Sequence, residues 1–244
     1  MLDNRTVSSD SDPNVASDSA RSQTLARGLR ILDLVAEASQ PMSVAGIAEG
    51  LGVHRSVAYR LVRTLEDSSL LARNTAGSYV MGPHVATLAR SVATDLQSAA
   101  RPELRLLADE LEMTAFLVVL DRAECVTLMT TEPRTPVASI AQRPGSRHSV
   151  LVGAPGIAIQ TLLTTAEREA HGIPSQETPE VSSARESGYA SSRGEVIPGV
   201  TSVAAPVAGA VPAAIAVLFV SGSDDRAIAE RVRAAARMIA RSVR

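Results

Sequence analysis

The sequence predicts an α+β chain in two parts: an N-terminal segment of short helices closed by a strand pair, and a longer C-terminal stretch that mixes strands with helices. Three observations predict it. Between Ser22 and Gly82, apolar residues recur at helical spacing and then switch to two strand-like runs. Beyond about residue 100, short strand-like and helical runs are mixed, which implies a sheet packed with helices. The chain has 244 residues, 45% of them hydrophobic and 20% charged, so it can form one large domain or two modest ones with a buried core.

Residues 1–21 are rich in Ser and Asp and poor in apolar side chains, and read as a disordered tail. Leu25, Leu29, Leu32 and Val35 share one face of a first helix that ends before Pro41. Ser43 is placed to cap a short second helix carrying Val44, Ile47 and Leu51. Gly52 is the turn, and a third helix follows from Arg55 to Asp67, with Val57, Leu61 and Leu65 as its inward stripe. Leu70–Arg73 and Ser78–Met81 read as strands joined through Asn74 and Gly77. Residues 22–83 thus form one predicted domain. Residues 84–99 follow as a linker helix with Val85, Leu88, Ala89, Val92 and Leu96 on one face. Such a face fits pairing with its own copy, and packing against its own domain fits equally.

Residues 100–244 form the second predicted domain. Pro102 starts a helix to about Glu112. Phe116–Leu120 and Cys125–Thr130 form a hairpin, and Val137–Gln142 is a further strand. Helices are expected at Gly156–Leu163, Thr165–Ala170 and Pro179–Glu186. Strands are expected at Tyr189–Ser192, Ser202–Val207 and Ala214–Val220, and a closing helix at Asp224–Val243.

The net charge of −2 hides an uneven distribution. Asp3, Asp10, Asp12 and Asp18 crowd the start, while Arg prevails between Arg21 and Arg90, which suggests a local anion-binding face. Every basic side chain except His is Arg; Arg suits bidentate contact with phosphate or guanine, and compositional bias explains the missing Lys equally well. Aromatics are only 2%, which weighs against stacking on single-stranded bases. A single cysteine, Cys125, excludes an internal disulfide or a cysteine-based zinc site. No leader pattern and no bilayer-length apolar run is present, so a cytoplasmic location away from membranes is expected.

Ile47, Ala48, Leu51, Val53, Ala58 and Leu61 fall where a helix-turn-helix needs apolar or small residues around its turn glycine. On the third helix, the side opposite the apolar stripe carries Ser56, Tyr59, Arg60 and Arg63, donors suited to phosphates and base edges. Arg60 lies mid-face and is the best candidate for a base contact. Arg55 and Ser56 stand at the helix N-terminus, which favours phosphate. Arg73 and Asn74 sit at the tip of the strand pair, as in a wing over duplex DNA; an ordinary surface hairpin gives the same pattern. Arg27 and Ser43 complete the candidate DNA-contacting set.

Over nearly the whole chain beyond the tail, the sequence resembles the IclR-type transcriptional regulators. The resemblance is carried by SQTLARGLRILDLV, SVAGIAEGLGVHRSVAYRLVRTLEDSSLL and GSYVMG in the N-terminal part. In the C-terminal part it is carried by HSVLVGAPGIAI, SGYASSRGEVIPGVTSVAAPV and AAIAVLFVSG. It implies a winged helix-turn-helix, a linker helix and a GAF-like effector-binding domain. It also implies dimers, often paired into tetramers, on palindromic double-stranded operators, most members being repressors and some activators. Carried over position by position, the effector pocket falls at Leu151, Val152, Ser192, Ser202, Phe219 and Ser221. Independently of the family, His148, Arg147 and Arg143 are candidates to meet a ligand carboxylate. Phe at 219 and Ala154-Pro155 after Gly153 make the site more apolar than small-acid sensors of the family require. A larger organic acid is therefore expected. His148 fits a helix cap or a hydrogen-bonded core equally well.

Rival classes fare worse. No Walker A, HExxH or GxSxG pattern is present, Cys125 sits in an apolar alternation as a structural thiol does, and the four histidines are dispersed. No enzyme activity, cofactor or metal is expected. A protein-interaction module built on a winged helix conflicts with the Arg60/Arg63 face.

Overall fold

The structure is a computed structural model that describes residues 22–134, 142–220 and 225–243. It divides into two compact units, Met1–Val92 and Ala93–Arg244. The tail 1–21, most of the strand expected at Val137–Gln142, and Ser221 lie outside the described residues.

In the first unit, α1 (Gln23–Glu37), α2 (Val44–Leu51) and α3 (Arg55–Asp67) precede the hairpin β1 (Leu71–Arg73) and β2 (Tyr79–Met81). Ser22 and Ser43 cap α1 and α2 by accepting the N–H groups of Leu25 and Gly46. Gly52 takes φ +63°, and Val53 N–H reaches back to Ala48 O at 3.0 Å, closing α2 with the left-handed turn that only glycine adopts cheaply. Ile31, Val35, Ile47, Ala48, Ala58, Val62, Leu71 and Tyr79 form the core.

That core corrects two stripes. On α1 the inward residues are Gly28, Ile31 and Val35, while Leu25 and Leu29 are 62% and 54% exposed. Apolar residues run around more than one face of this helix, so periodicity alone does not choose between them. On α3, Ala58 and Val62 are buried and Leu61 and Leu65 only half-buried. Small Ala48 and Ala58 let α2 and α3 approach closely.

The predicted linker helix is broken. α4 (His84–Ala89) buries none of its residues and ends in a turn. Ala93, with φ +45°, then opens α5 (Thr94–Leu111), the first element of the second unit. Pro102 lies inside α5, not at its start.

The rest of the second unit runs β3 (Thr114–Asp121), β4 (Glu124–Thr131), β5 (Arg147–Ser149), α6 (Gly153–Gln160), α7 (Thr165–Ala170), α8 (Pro179–Ser187), β6 (Ala190–Arg193), β7 (Val200–Val207), β8 (Ala213–Val220) and α9 (Asp225–Ser242). The six strands pair antiparallel in the order β5-β4-β3-β8-β7-β6. Strand alternation splits the sheet between two cores. Ala115, Leu117, Val203, Ile215, Val217 and Phe219 pack with α5 and α9. Phe116, Val118, Cys125, Ala204, Ala216 and Leu218 pack with α6 and α8. The result is three layers, helices on both faces of one sheet. Among the described residues no helix is long and apolar enough to cross a membrane.

Candidate nucleic-acid interface and ligand cavity

α3 presents Ser56, Tyr59, Arg60 and Arg63 to solvent, because Ala58 and Val62 anchor its other side. His54, Arg55, Ser56, Tyr59 and Arg60 line one open depression. Its rim differs from expectation in one respect. Ser56 N–H donates to His54 Nδ1 at 3.3 Å, and Ser56 Oγ lies 2.8 Å from the same nitrogen. His54 therefore caps the helix, and the Ser56 N–H is engaged within the protein. A polar residue one position ahead of a helix is a capping signal, and it is the signal in the sequence that could have found this role.

Arg27 of α1 lies beside Arg60, Leu61 and Thr64 along an adjoining groove. Arg63 is itself half exposed and lies 3.6 Å from Glu66 Oε2, which is buried and accepts no hydrogen bond among the described residues. In the hairpin, Arg73 Nε donates to Gly77 O at 3.2 Å, and Asn74 Oδ1 accepts from Ser78 N–H at 2.9 Å. Both side chains brace the turn, which leaves the outer guanidinium nitrogens of Arg73 as its remaining donors. Ser43 is exposed and serves as the α2 cap.

The second unit holds a cavity between the sheet and the start of α6. Its lining includes Phe116, Gln142, His148, Gly153, Ser192, Glu195, Ser202 and Leu218. Three of the expected residues, His148, Ser192 and Ser202, are brought together there. Leu151 and Val152 are not; they are 50% and 38% exposed on the turn ahead of α6, and Gly153 and Pro155 take their place. Phe219 faces the opposite core, and its neighbour Leu218 lines the cavity. β8 is buried on both faces, so its sequence carries no alternation to show which residue points where. Arg147 bonds Asp121 and Glu124 at the sheet edge, and Arg143 is exposed outside the lining.

The polar groups of the cavity divide into engaged and unengaged sets. Ala154 N–H donates to Ser192 Oγ at 2.8 Å, and Gly153 N–H to Glu195 Oε2 at 2.7 Å. Ser202 Oγ and His148 Nε2 are buried with no hydrogen-bond partner in the protein. Burial pushes the His148 imidazole below its ordinary value of 6.5 and so favours the neutral ring, against the pull of the Glu124 carboxylate toward the charged one. Cys125 is fully buried, and burial with the nearby Glu124 charge pushes its thiol up to about 12, far from a nucleophile. Among the described residues no cluster of His, Cys, Asp or Glu is arranged to hold a metal ion.

Comparison with known proteins places both parts of the chain in a family. Residues 24–75 match the IclR helix-turn-helix domain, and residues 89–244 match the Bacterial transcriptional regulator IclR C-terminal domain. The HTH-type transcriptional regulator Rv1719 of Mycobacterium tuberculosis is 31% identical over 160 residues, covering 64% of this chain and 60% of that protein. The HTH-type transcriptional regulator TtgV of Pseudomonas putida is 33% identical over 99 residues, covering 40% of this chain and 38% of that protein. The crystal structure of an IclR transcriptional regulator from Alicyclobacillus acidocaldarius aligns at a TM-score of 0.78 with 25% identity, covering 92% of this chain and all of that one. An IclR homologue from Microbacterium hydrocarbonoxydans, complexed with 4-hydroxybenzoate, also aligns at 0.78, with 21% identity over 91% of this chain and 99% of that one, and shows the fold. With a helix-turn-helix in one unit, a helix-covered antiparallel sheet in the other, and both matched domains in order, the chain belongs to the IclR family of transcriptional regulators.

Proposed function

We propose that the chain is a ligand-responsive repressor of a catabolic operon, that it binds a palindromic operator in double-stranded DNA, and that a small organic acid entering the C-terminal cavity alters that binding. The observation that carries the DNA reading is the solvent-facing row of Tyr59, Arg60 and Arg63 on the helix that follows the turn glycine. A helix so placed enters the major groove, where Arg pairs with guanine edges and phosphates. Arg27 beside Arg60 extends the cationic face. The same architecture serves an activator, and the sign of regulation follows from transcription of the adjacent operon with and without the protein.

The organic-acid reading is supported by an apolar cavity with few polar groups and by the 4-hydroxybenzoate complex of the Microbacterium homologue. A homodimer, or a tetramer made of two, is supported by α4, which buries none of its residues and leaves Leu88 52% exposed. Such a protein works in the cytoplasm, where its operator is.

The test is binding of the full chain to its own upstream DNA across a salt series. Affinity is expected to fall steeply with salt. Arg60→Ala with Arg63→Ala is expected to reduce the log–log salt slope by about 1 for each phosphate left without its Arg, and to abolish preference for the operator. Salt-insensitive binding, or binding unchanged by the two substitutions, would overturn the reading in favour of a protein-interaction module.

A further inference from the structure

As it stands, the cavity is too small for the ligand it is proposed to take. Its volume is about 30 Å³, room for roughly two waters, against roughly 300 Å³ or more for sites that enclose small organic ligands. What closes it is the loop between β6 and β7. Glu195, Val196 and Ile197 form its outer wall, and Val196 Cγ2 lies 2.8 Å from where any side chain on Gly153 would begin.

The loop is tied at its neck and by one turn on its far side, where Val200 N–H donates to Ile197 O at 3.1 Å. Gly194 N–H donates to Val200 O at 2.8 Å, so the base is pinned. Gly194 and Gly199 take φ of +69° and +78°, conformations that L side chains rarely adopt, at either end of the span. Between them, Glu195 and Val196 are exposed, so residues 195–198 have solvent to move into.

What ties the loop to the start of α6 is a charge-assisted bond, from Gly153 N–H to the Glu195 carboxylate. That amide is where the helix dipole favours an anion. Ser202 Oγ, with its residue only 7% exposed, lines the same cavity without a partner, and so does His148 Nε2. The cavity therefore offers an anion position at one side that the protein itself fills, and unengaged neutral polar atoms elsewhere. A second carboxylate cannot share the amide with Glu195, because like charges at that distance repel.

We infer that Glu195 is a built-in competitor for the ligand: a monocarboxylate takes over the Gly153 N–H, Glu195 leaves for solvent, and residues 195–198 swing out to make room. The exchange replaces one carboxylate by another on the same donor, so its electrostatic cost is small. The ligand class it selects is an acid with an apolar body and a neutral hydroxyl that reaches Ser202 Oγ or His148 Nε2. This rests on the organic-acid reading above.

The experiment is calorimetric titration of the full chain with 4-hydroxybenzoate and with its neutral isostere, 4-hydroxybenzamide. The proteins are the wild type, Glu195→Ala, and Glu195→Gln, which keeps the bulk and drops the charge; circular dichroism checks each fold. Both variants are expected to bind the acid roughly tenfold more tightly than wild type, the worth of one charge-assisted hydrogen bond, and the amide, which opens the same loop but carries no charge for Glu195 to repel, to gain less. Equal acid binding in all three, weaker binding in the variants, or a gain for the amide equal to that for the acid overturns the exchange while leaving the organic-acid reading intact. Failure of the acid to bind any of the three at millimolar concentration overturns both.

Discussion

His148 pairs with Cys125 across β4 and β5, and its Nε2 is sealed from solvent without a partner. Its pKa in the folded state lies below 6.5, so at mildly acidic pH the unfolded chain binds a proton that the folded chain refuses. The stability this group contributes is full above about pH 6.5 and is lost as pH falls toward its folded value. Wild type is therefore expected to lose more unfolding free energy than His148→Gln between about pH 7.5 and about pH 5.5, measured by denaturant titration. Equal losses would show that the ring titrates normally. At this scale Ser192 and Ser202 are legible through the family resemblance and His148 as a partner for a carboxylate, and all three line the cavity. The sequence is illegible at Leu218 and Phe219, two apolar neighbours in a strand with both faces covered. Glu195 carries no signal either, since an acid between glycines reads as an ordinary surface loop until its carboxylate is seen on Gly153 N–H.

Among the elements, α3 is the most legible, from Arg55 to Asp67, because the turn glycine, the small crossing residues and the period all agree. β5 is hidden. Arg147–Ser149 has no apolar alternation and is a strand only through pairing with β4. Periodicity overdraws the linker helix, since Val85, Leu88, Val92 and Leu96 keep helical spacing through residues that break at Ala93. It also starts α6 a few residues late, because Gly153 and Pro155 resemble a loop. They sit in the first turn, where Pro is tolerated, and the helix lies so close to the turn after β5 that a Cβ on Gly156 would come 2.3 Å from Val150 O. Gly156→Ala is expected to destabilise the second unit by more than about 2 kcal/mol, read from its thermal or denaturant midpoint. A neutral outcome would mean that α6 can shift away from the sheet.

Across the whole molecule, each unit has its own buried cluster. One centres on Ile31, Ile47 and Val62, and the others lie on the two faces of the sheet. Two calorimetric transitions are expected. Val62→Ala is expected to lower one midpoint by at least about 5 °C while leaving the other in place, and Val217→Ala to do the reverse. One shared transition that moves with either substitution would contradict independent cores. The division into a helical first part and a mixed second part is readable from where the apolar period changes. The three-layer order is not, because strands that are apolar on both faces conceal which helix covers which side.

In that layered arrangement, β7 and β8 turn successive residues to different tasks: Ser202 and Leu218 toward the cavity, Val203 and Val217 toward the helices behind it. A lineage can therefore exchange the cavity-facing positions, and with them the molecule recognised, while the positions that seat α5 and α9 stay as they are. Chemical diversification and structural inheritance occupy alternate letters of the same strand.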